Sequence, residues 1–217
     1  MPRSTGHKAQ TRTRIVAAAA RAFRERGVES VAIADVMRAA GLTHGGFYAH
    51  FPSKDALVAE ATASGLSDSR REFVSDAAAA NPEAPLREVI RRYVSRYHRD
   101  HQAEGCAMPA LTAEIAREST EVRRAFTTAL EEFVANLTDY VPGDSPEVRR
   151  DGALVLAAGM AGAVALSRAV DDPVLSDRLL LAARRFYTDS LAGSAPGAAA
   201  EFTTEDAEHA KGMKKPE

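Results

Sequence analysis

Hydrophobic and polar residues in the N-terminal quarter of the chain follow the period of an α-helix. The pattern predicts a first helix from Gln10 to Arg26, which Gly27 ends as a C-cap residue. A second, shorter helix is predicted over about Ile33 to Ala40. Thr43 is a favourable N-cap for a third helix, over about His44 to Ala49. The apolar faces of the first two helices consist of Ile15, Ala19, Ala22 and Phe23, and of Ile33, Val36, Met37 and Ala40.

The pattern stays helical after the break at Pro52. Ser53 can cap a long alanine-rich helix from Lys54 to about Ala79, and further breakers separate five more helices. These are predicted over Leu86–Gln102, Met108–Arg117, Thr120–Tyr140, Pro146–Val170 and Pro173–Leu191. No segment follows the period-two pattern of a strand, so we predict an all-α fold of about nine helices. Residues 194–217 lack periodicity and are predicted to be disordered.

The predicted third helix contains an unfavourable glycine pair, Gly45-Gly46, within the stretch GLTHGGFYAHFPSKDAL. A glycine inside a helix costs about 1 kcal/mol relative to alanine. Two short helices joined by the turn GLT form a helix-turn-helix pattern, in which the first turn of the second helix enters the major groove of DNA. Glycines there would let backbone N–H groups approach phosphate oxygens closely. The stretch therefore predicts a DNA-binding element.

The distribution of charge favours the same interpretation. The chain has a net charge of −2, but residues 1–54 contain nine Lys/Arg and three Asp/Glu, a net charge of +6. The other 163 residues have a net charge of −8. A basic head on an acidic body indicates a polyanionic partner for the head alone.

The composition indicates a soluble protein in a reducing compartment. The 217 residues are 45% hydrophobic, and the single cysteine, Cys106, excludes an internal disulfide. The longest uncharged apolar run, Ala153 to Leu166, has 14 residues, whereas a membrane span needs about 20. No signal-peptide pattern follows the basic N-terminus. We therefore expect a cytoplasmic protein without a membrane partner.

The segment AGLTHGGFYAHFPSKDALV, from Ala40 to Val58, resembles the DNA-binding signature of TetR-type transcriptional regulators. The preceding RIVAAAARAFRERGVESVAIADVMRAAG is similar to the first two helices of that family. The resemblance implies a DNA-binding domain over residues 1–53, a helical effector-binding and dimerisation domain over residues 54–193, and a homodimer. It also implies a repressor that leaves a palindromic operator in double-stranded DNA when a small-molecule effector binds. Neither a cofactor nor an enzymatic activity is expected.

The resemblance also implies roles for residues of the signature. Thr43 would cap the recognition helix and contact a phosphate, and Lys54 matches the basic residue that opens the fourth helix. The base-facing turn would consist of His44, Gly45 and Gly46, and the positions that reach the DNA backbone would be Tyr48 and His50.

Three positions depart from the family pattern. Ala32 stands where a serine or threonine usually starts the second helix, which leaves the cap to Ser30 or to water. His44 replaces a more common lysine or arginine, and Gly46 replaces a larger side chain. Direct base readout should therefore be modest, with shape and phosphate contacts supplying more of the affinity.

Several basic and aromatic residues of the head have a structural alternative. Phe47 and Phe51 are expected in the core, and Tyr48 could cover the core instead of contacting DNA. Arg3 and Lys8 could form an arm in the minor groove, but we expect them to be solvated.

The two C-terminal helices are expected to form the dimer interface. The run ALVLAAGMAGAVAL is apolar around its full circumference, so its helix must be buried on several sides. Three glycines of this helix permit close helix approach: Gly152, Gly159 and Gly162. The last helix has its own apolar stripe: Leu175, Leu179, Ala183, Phe186 and Leu191. The resemblance implies that both helices pair with their copies. A monomer that hides both stripes internally is the alternative.

The effector site is expected among large or soft side chains of the middle helices, which favour a mostly apolar molecule. The candidates are Phe73, Tyr93, Tyr97, Cys106, Met108, Phe126, Leu130, Phe133 and Met160. Cys106 directly precedes a predicted helix N-terminus, where a thiol can react with oxidants or electrophiles. It could therefore be a sensor, or it could be a small buried hydrophobe.

His98 and His101, spaced i and i+3 with Glu104 nearby, allow a metal-binding enzyme as a remote alternative. Helical di-metal proteins need Glu-x-x-His pairs on two helices, and this chain has one histidine pair. A helical interaction module without a DNA role is a further alternative. It would leave the stretch from Thr43 to Lys54 and the basic head unexplained.

Overall fold

The computed structural model describes residues 5–193, and within them it is all-α, as predicted. Helix α1 spans Thr5–Arg26 and helix α2 spans Ile33–Ala39. Each is followed by a glycine with positive φ, Gly27 at +82° and Gly41 at +70°. The left-handed region is accessible to glycine at little cost, so both residues end their helices in the way the sequence predicts.

The segment after α2 is helical, but it is a 3₁₀ helix, His44–Ala49, rather than an α-helix. Thr43 lies at its N-cap position with an extended backbone, yet its side chain makes no capping hydrogen bond, so the predicted Thr43 cap is wrong. The carbonyl of Thr43 instead accepts a 3.1 Å bond from Gly46 N, the i→i+3 pattern of a 3₁₀ turn. Ala32 likewise precedes α2 without a side-chain cap, as expected.

The long helix predicted from Lys54 to Ala79 is present, with one irregular turn. Helix α3 spans Lys54–Arg70, a π-helical turn spans Arg71–Ser75, and α4 continues over Asp76–Ala80. Ser53 caps α3 as predicted, because its Oγ accepts a 3.0 Å bond from Ala56 N. Single π-turns inside α-helices are rare and cluster at functional positions.

The predicted helix Leu86–Gln102 is wrong as one element, because it is broken into α5, Pro85–Tyr93, and α6, Arg96–Asp100. Ser95 Oγ caps α6 with a 3.1 Å bond from His98 N. The Val94 carbonyl accepts from Nε and Nη2 of Arg184, at 3.2 and 3.0 Å. The Ser95 side chain and the Arg184 guanidinium thus replace the i→i−4 hydrogen bonds that a continuous helix would make at this point.

The remaining helices lie close to their predicted bounds. They are α7 Ala107–Ile115, α8 Thr120–Thr138, α9 Pro146–Ala169 and α10 Pro173–Leu191. Ser145 and Asp172 cap α9 and α10, and a proline follows each cap at the first helical position. A Cβ on Gly159 would overlap the Tyr187 hydroxyl, so this glycine allows α9 and α10 to pack closely.

Helix α9 is long and apolar enough to cross a membrane, with a mean hydropathy of 1.5 in its most apolar window, of which 33% is buried. Buried helices of soluble proteins also pass this test of length and composition. The uncharged run within α9, from Ala153 to Leu166, has only 14 residues, which is why the sequence alone indicated no candidate span.

The described chain forms two compact units, one of residues 5–69 and 102–133, the other of residues 70–101 and 134–193. The functional boundary between residues 53 and 54 stays a prediction. The core of the first unit contains Ile15, Phe23, Met37, Phe47, Phe51, Leu57 and Leu66, and that of the second contains Phe73, Ile90, Tyr93, Leu156, Met160 and Leu180. Residues 194–217 and Arg3, about which the sequence made predictions, lie outside the described residues.

Candidate nucleic-acid interface

The glycine pair lies on an open surface of the first unit. A Cβ added to Gly45 would meet no atom of the described residues within 4 Å, and one added to Gly46 would meet only Met37 Cε, at 3.6 Å. Neither glycine has a positive φ. His44 and Gly45 are exposed. Neither packing nor backbone conformation therefore requires glycine at these positions.

The aromatic residues after the pair divide into one exposed ring and two buried rings. Tyr48 is 67% exposed, so the alternative in which it covers the core is wrong. Its ring lies edge-on to Phe47, with centroids 5.2 Å apart. Phe47 and Phe51 are fully buried, as predicted, and their rings stack at 5.7 Å. The phenol is thus held at the surface by a ring anchored in the core.

Two arginines of α1 bond to residues before and after the 3₁₀ helix. The sequence did not predict these bonds. The Arg12 guanidinium lies 4.0 Å from the centre of the Phe51 ring and donates to the His50 carbonyl and to the Glu60 carboxylate. Arg14 donates to the carbonyl of Ala40, the residue that follows α2. Both count toward the +6 charge of the head, yet both bond within the protein.

Lys54 also bonds within the first unit. It is half-buried, and its Nζ donates to the Val28 carbonyl at 2.8 Å, which links α3 to the turn between α1 and α2. An ammonium group has three donors, so two remain for other acceptors. Its predicted phosphate contact stays a prediction, and any test must separate that contact from this internal bond.

His50 has an unusual environment for a residue predicted to reach the DNA backbone. Burial, with the positive charges of Lys8 and Arg12, lowers the pKa of His50 below its usual value. Its Nδ1 is buried and has no hydrogen-bond partner among residues 5–193. This environment favours the neutral form of the ring, and the contact of His50 with the DNA backbone stays a prediction.

The predicted effector residues are divided between the two units. Cys106 and Met108 are buried, and Phe126 and Leu130 half-buried, in the first unit. In the second unit the corresponding residues are Phe73, Tyr93 and Met160, all buried, and Tyr97, which is half-buried. Phe133, in the first unit, is fully buried. The predicted set is therefore not one cluster within either unit.

Within the second unit, Phe73, Tyr93 and His98 form an aromatic cluster. The imidazole of His98 stacks on Phe73 at 4.5 Å and lies edge-on to Tyr93 at 4.7 Å, and its Nδ1 is 2.7 Å from the Tyr93 carbonyl oxygen. His101 instead stacks on Tyr97 at 4.0 Å. No group of three potential metal ligands occurs in the part of the chain that the structure describes. The positions of the two imidazoles are thus explained by packing.

Cys106 occupies the N-cap position of α7. Its Sγ accepts a 3.5 Å bond from Met108 N, and the side chain is fully buried. The backbone donors of a helix N-terminus stabilise a thiolate, whereas burial keeps reagents away from the sulfur. The position of Cys106 is therefore compatible with both predicted roles, a sensor and a small buried hydrophobe.

The N-terminal segment matches a known family and two curated relatives. Residues 15–61 match the family model described as bacterial regulatory proteins, tetR family. Over 59 residues the chain is 48% identical to the HTH-type transcriptional regulator TtgR of Pseudomonas putida. This match covers 27% of the present chain and 28% of that protein, so the chain spans little more than a quarter of the length of the curated relatives it matches.

The complete fold is similar to that of solved structures. The crystal structure of the reduced form of E. coli NemR gives a TM-score of 0.66 at 20% identity, covering 87% of this chain and 100% of that chain. A TetR family transcriptional regulator from Agrobacterium tumefaciens gives a TM-score of 0.65 at 19% identity, covering 85% and 99%. At these identities the similarity establishes the fold.

Proposed function

We propose that this chain, a member of the TetR family by its N-terminal segment and its fold, is a transcriptional regulator that binds DNA through residues 43–54. The observation that supports this most is the open glycine turn at Gly45, where a Cβ would meet no atom of residues 5–193 within 4 Å. A backbone without a Cβ at the surface can approach a phosphate or a base edge closely. The exposed phenol of Tyr48 supplies a further donor next to that turn.

Phosphate contacts supply most of the affinity in this proposal. The proposed contacts are the backbone N–H groups of the exposed residues His44 and Gly45, the Tyr48 hydroxyl and the Lys54 ammonium group. Such contacts fix register on the duplex without reading sequence. With Gly46 in place of a larger side chain, specificity depends more on the shape of the groove.

A second copy of the chain would complete the DNA-binding unit. Two recognition helices must lie about 34–36 Å apart to enter successive major grooves of a palindromic operator. Helices α9 and α10 expose large apolar side chains that a second copy could cover: Val148, Leu154, Val155, Leu166, Val174, Leu175 and Phe186. Pairing of these faces would also explain the apolar composition of α9 without a membrane, in a cytoplasmic protein.

A small, mostly apolar effector would release the operator. Its contacts would include Phe73 and Tyr93 of the second unit, whose buried rings lie 5.2 Å apart and suit a hydrophobic site. Shifting the DNA-binding state from 99% to 1% requires about 5.5 kcal/mol of preference for the other state. In this proposal the protein represses transcription while it is bound to the operator, and the effector ends the repression by releasing it.

An alternative inducer chemistry uses Cys106 itself. Its place at the N-cap of α7 favours a reactive thiolate whenever the sulfur becomes accessible. An electrophile such as N-ethylmaleimide should then abolish operator binding by the wild type and leave the Cys106→Ser variant unaffected. Equal loss in both proteins would exclude this alternative without affecting the DNA-binding proposal.

The central experiment is selection of bound duplexes from a random pool by the full-length protein. We expect a palindrome whose half-sites are one helical turn apart. Recovery of no preferred sequence, with no measurable affinity for the pool at low salt, would refute the proposed function.

A second experiment tests the phosphate contacts. Tyr48→Phe removes only the hydroxyl, so it should weaken binding to the operator and to random duplex equally, by about three- to tenfold for one lost hydrogen bond. Fluorescence anisotropy at several salt concentrations measures both affinities. Thr128→Ser, which retains a hydroxyl on an exposed position of α8, is the control. A loss confined to the operator would contradict the phosphate role of Tyr48.

A further inference from the structure

The turn between α1 and α2 is held on both sides by charged side chains from other helices of the first unit. The carboxylate of Glu114, on α7, accepts from Val28 N at 2.6 Å and from Glu29 N at 3.5 Å. Lys54 donates to the carbonyl of the same Val28 at 2.8 Å. Val28 itself is buried. Both polar groups of one residue, in the turn that leads into the helix-turn-helix, are therefore fixed from outside the turn.

The space beside Gly27 is occupied by the end of the Glu114 side chain. A Cβ on Gly27 would lie 2.6 Å from Glu114 Oε1, so the glycine is what allows the carboxylate to reach the backbone. The preceding turn of α1 is bound to the same region, because Gln102 Nε2 donates to the Arg24 carbonyl at 2.6 Å and Arg24 Nε to the Ala103 carbonyl at 2.9 Å. Gln102 and Ala103 thus bond to the last turn of α1, and Glu114 bonds to the turn that follows it.

We propose that Glu114 is a positioning residue for DNA binding, which fixes α2 and the recognition helix relative to α7 by holding the Val28 and Glu29 amides. The inference rests on the proposed function. A carboxylate that accepts backbone N–H groups forms a charge-assisted bond, stronger and more directional than a neutral one. A displacement of α7, at whose N-terminus Cys106 and Met108 lie, would then be passed to the turn that precedes α2.

A positioning role for Glu114 and a purely electrostatic role predict opposite changes in DNA affinity when the carboxylate is removed. Removing a carboxylate that lies against the basic head should, by electrostatics alone, strengthen DNA binding, because phosphates are negative. A positioning role predicts weaker operator binding whenever the carboxylate no longer reaches the turn. Reach and charge can be varied separately at this position.

The experiment compares Glu114→Asp, which keeps the charge and shortens the side chain, with Glu114→Gln, which keeps the length and one acceptor oxygen. Glu121→Gln is the control, because it removes the same charge from an exposed position in the first turn of α8. Hydrogen exchange at the Val28 and Glu29 amides is measured in the full-length protein. Affinity is measured for the selected operator and for random duplex.

We expect Glu114→Asp to lose about tenfold in protection of the Val28 amide and about tenfold in operator affinity, as for one charge-assisted bond, with random-duplex binding nearly unchanged. Glu114→Gln should stay within about threefold of wild type in both readouts, since a neutral bond is retained. Unchanged exchange or unchanged operator affinity in Glu114→Asp would overturn the proposal, and Glu121→Gln gives the change in affinity that loss of one charge alone produces. A wild type that binds no DNA would refute the regulator function, while exchange at Val28 would still decide whether Glu114 holds the turn.

Discussion

Gly27 and Gly45 are glycine for different physical reasons, although each lies near the end or the start of a helix. Gly27 has a φ of +82° and lies against Glu114, so both its backbone and its surroundings exclude a side chain. Gly45 has neither constraint. A glycine that the protein itself does not need is best explained by contact with another molecule.

The glycine pair provides a matched test at the scale of single residues. Gly45→Ala should leave the free energy of unfolding unchanged or raise it by up to about 1 kcal/mol, because alanine restricts the unfolded chain. The same substitution should weaken DNA binding, since the new methyl group faces the groove. Gly27→Ala should instead destabilise the protein by more than about 1 kcal/mol. Urea unfolding and anisotropy measure the two effects.

The interpretation of Gly45 fails under either of two results. Gly45→Ala could bind DNA as tightly as the wild type, in which case the open turn is not the contact surface. It could also destabilise the fold as much as Gly27→Ala does, in which case the turn is constrained internally.

At the scale of elements, the break between α5 and α6 depends on a buried arginine. Arg184 of α10 is 7% exposed and donates to the Val94 carbonyl twice and to the Arg91 carbonyl at 3.4 Å. These carbonyls terminate α5 and have no amide of a following helical turn to accept from. The guanidinium thus compensates for a helix end in the interior of the second unit.

Replacement of this arginine should be costly. Arg184→Met should lower the free energy of unfolding by about 2–4 kcal/mol, because it removes charged hydrogen bonds and leaves buried carbonyls unsatisfied. Arg185→Met, one position away on the exposed side of α10, is the control and should change stability by less than about 0.5 kcal/mol. Urea unfolding of both variants measures the difference, and similar values would show that Arg184 does not stabilise the break.

At the scale of the whole molecule, the exposed apolar face of α9 and α10 predicts a homodimer. Phe186 is 64% exposed and Val174 is 74% exposed, which is unusual for side chains of this size. Residues that protrude from the monomer add little to its own stability. We therefore expect a second copy of the chain to cover them.

A charge placed on this face should separate the copies. Phe186→Asp should give a monomer in analytical ultracentrifugation while retaining the helical circular dichroism spectrum, and it should lose operator affinity because one half-site binds weakly. Thr128→Asp adds the same charge to an exposed position of α8 and should remain dimeric. A Phe186→Asp protein that stays dimeric would place the interface elsewhere.

Signals that are local in the sequence predicted most of the helices and the DNA-binding signature. Helix periodicity, caps and breakers are local signals, so α10 was predicted over Pro173–Leu191, where it lies. The resemblance around Gly45-Gly46 could be seen in the sequence, because it depends on a few adjacent residues, and residues 15–61 match the tetR family model. Local patterns also placed Phe47 and Phe51 in the core.

Which charges bond within the protein, and where helices end against each other, depends on contacts between distant parts of the chain. Arg184 bonds to Val94, 90 positions away, and Glu114 bonds to Val28, 86 positions away. A pattern read along the chain cannot show pairs at such separations, and it counted Arg12 among the charges of the head. At the break at Val94, such a distant contact outweighs the local helical preference of the chain.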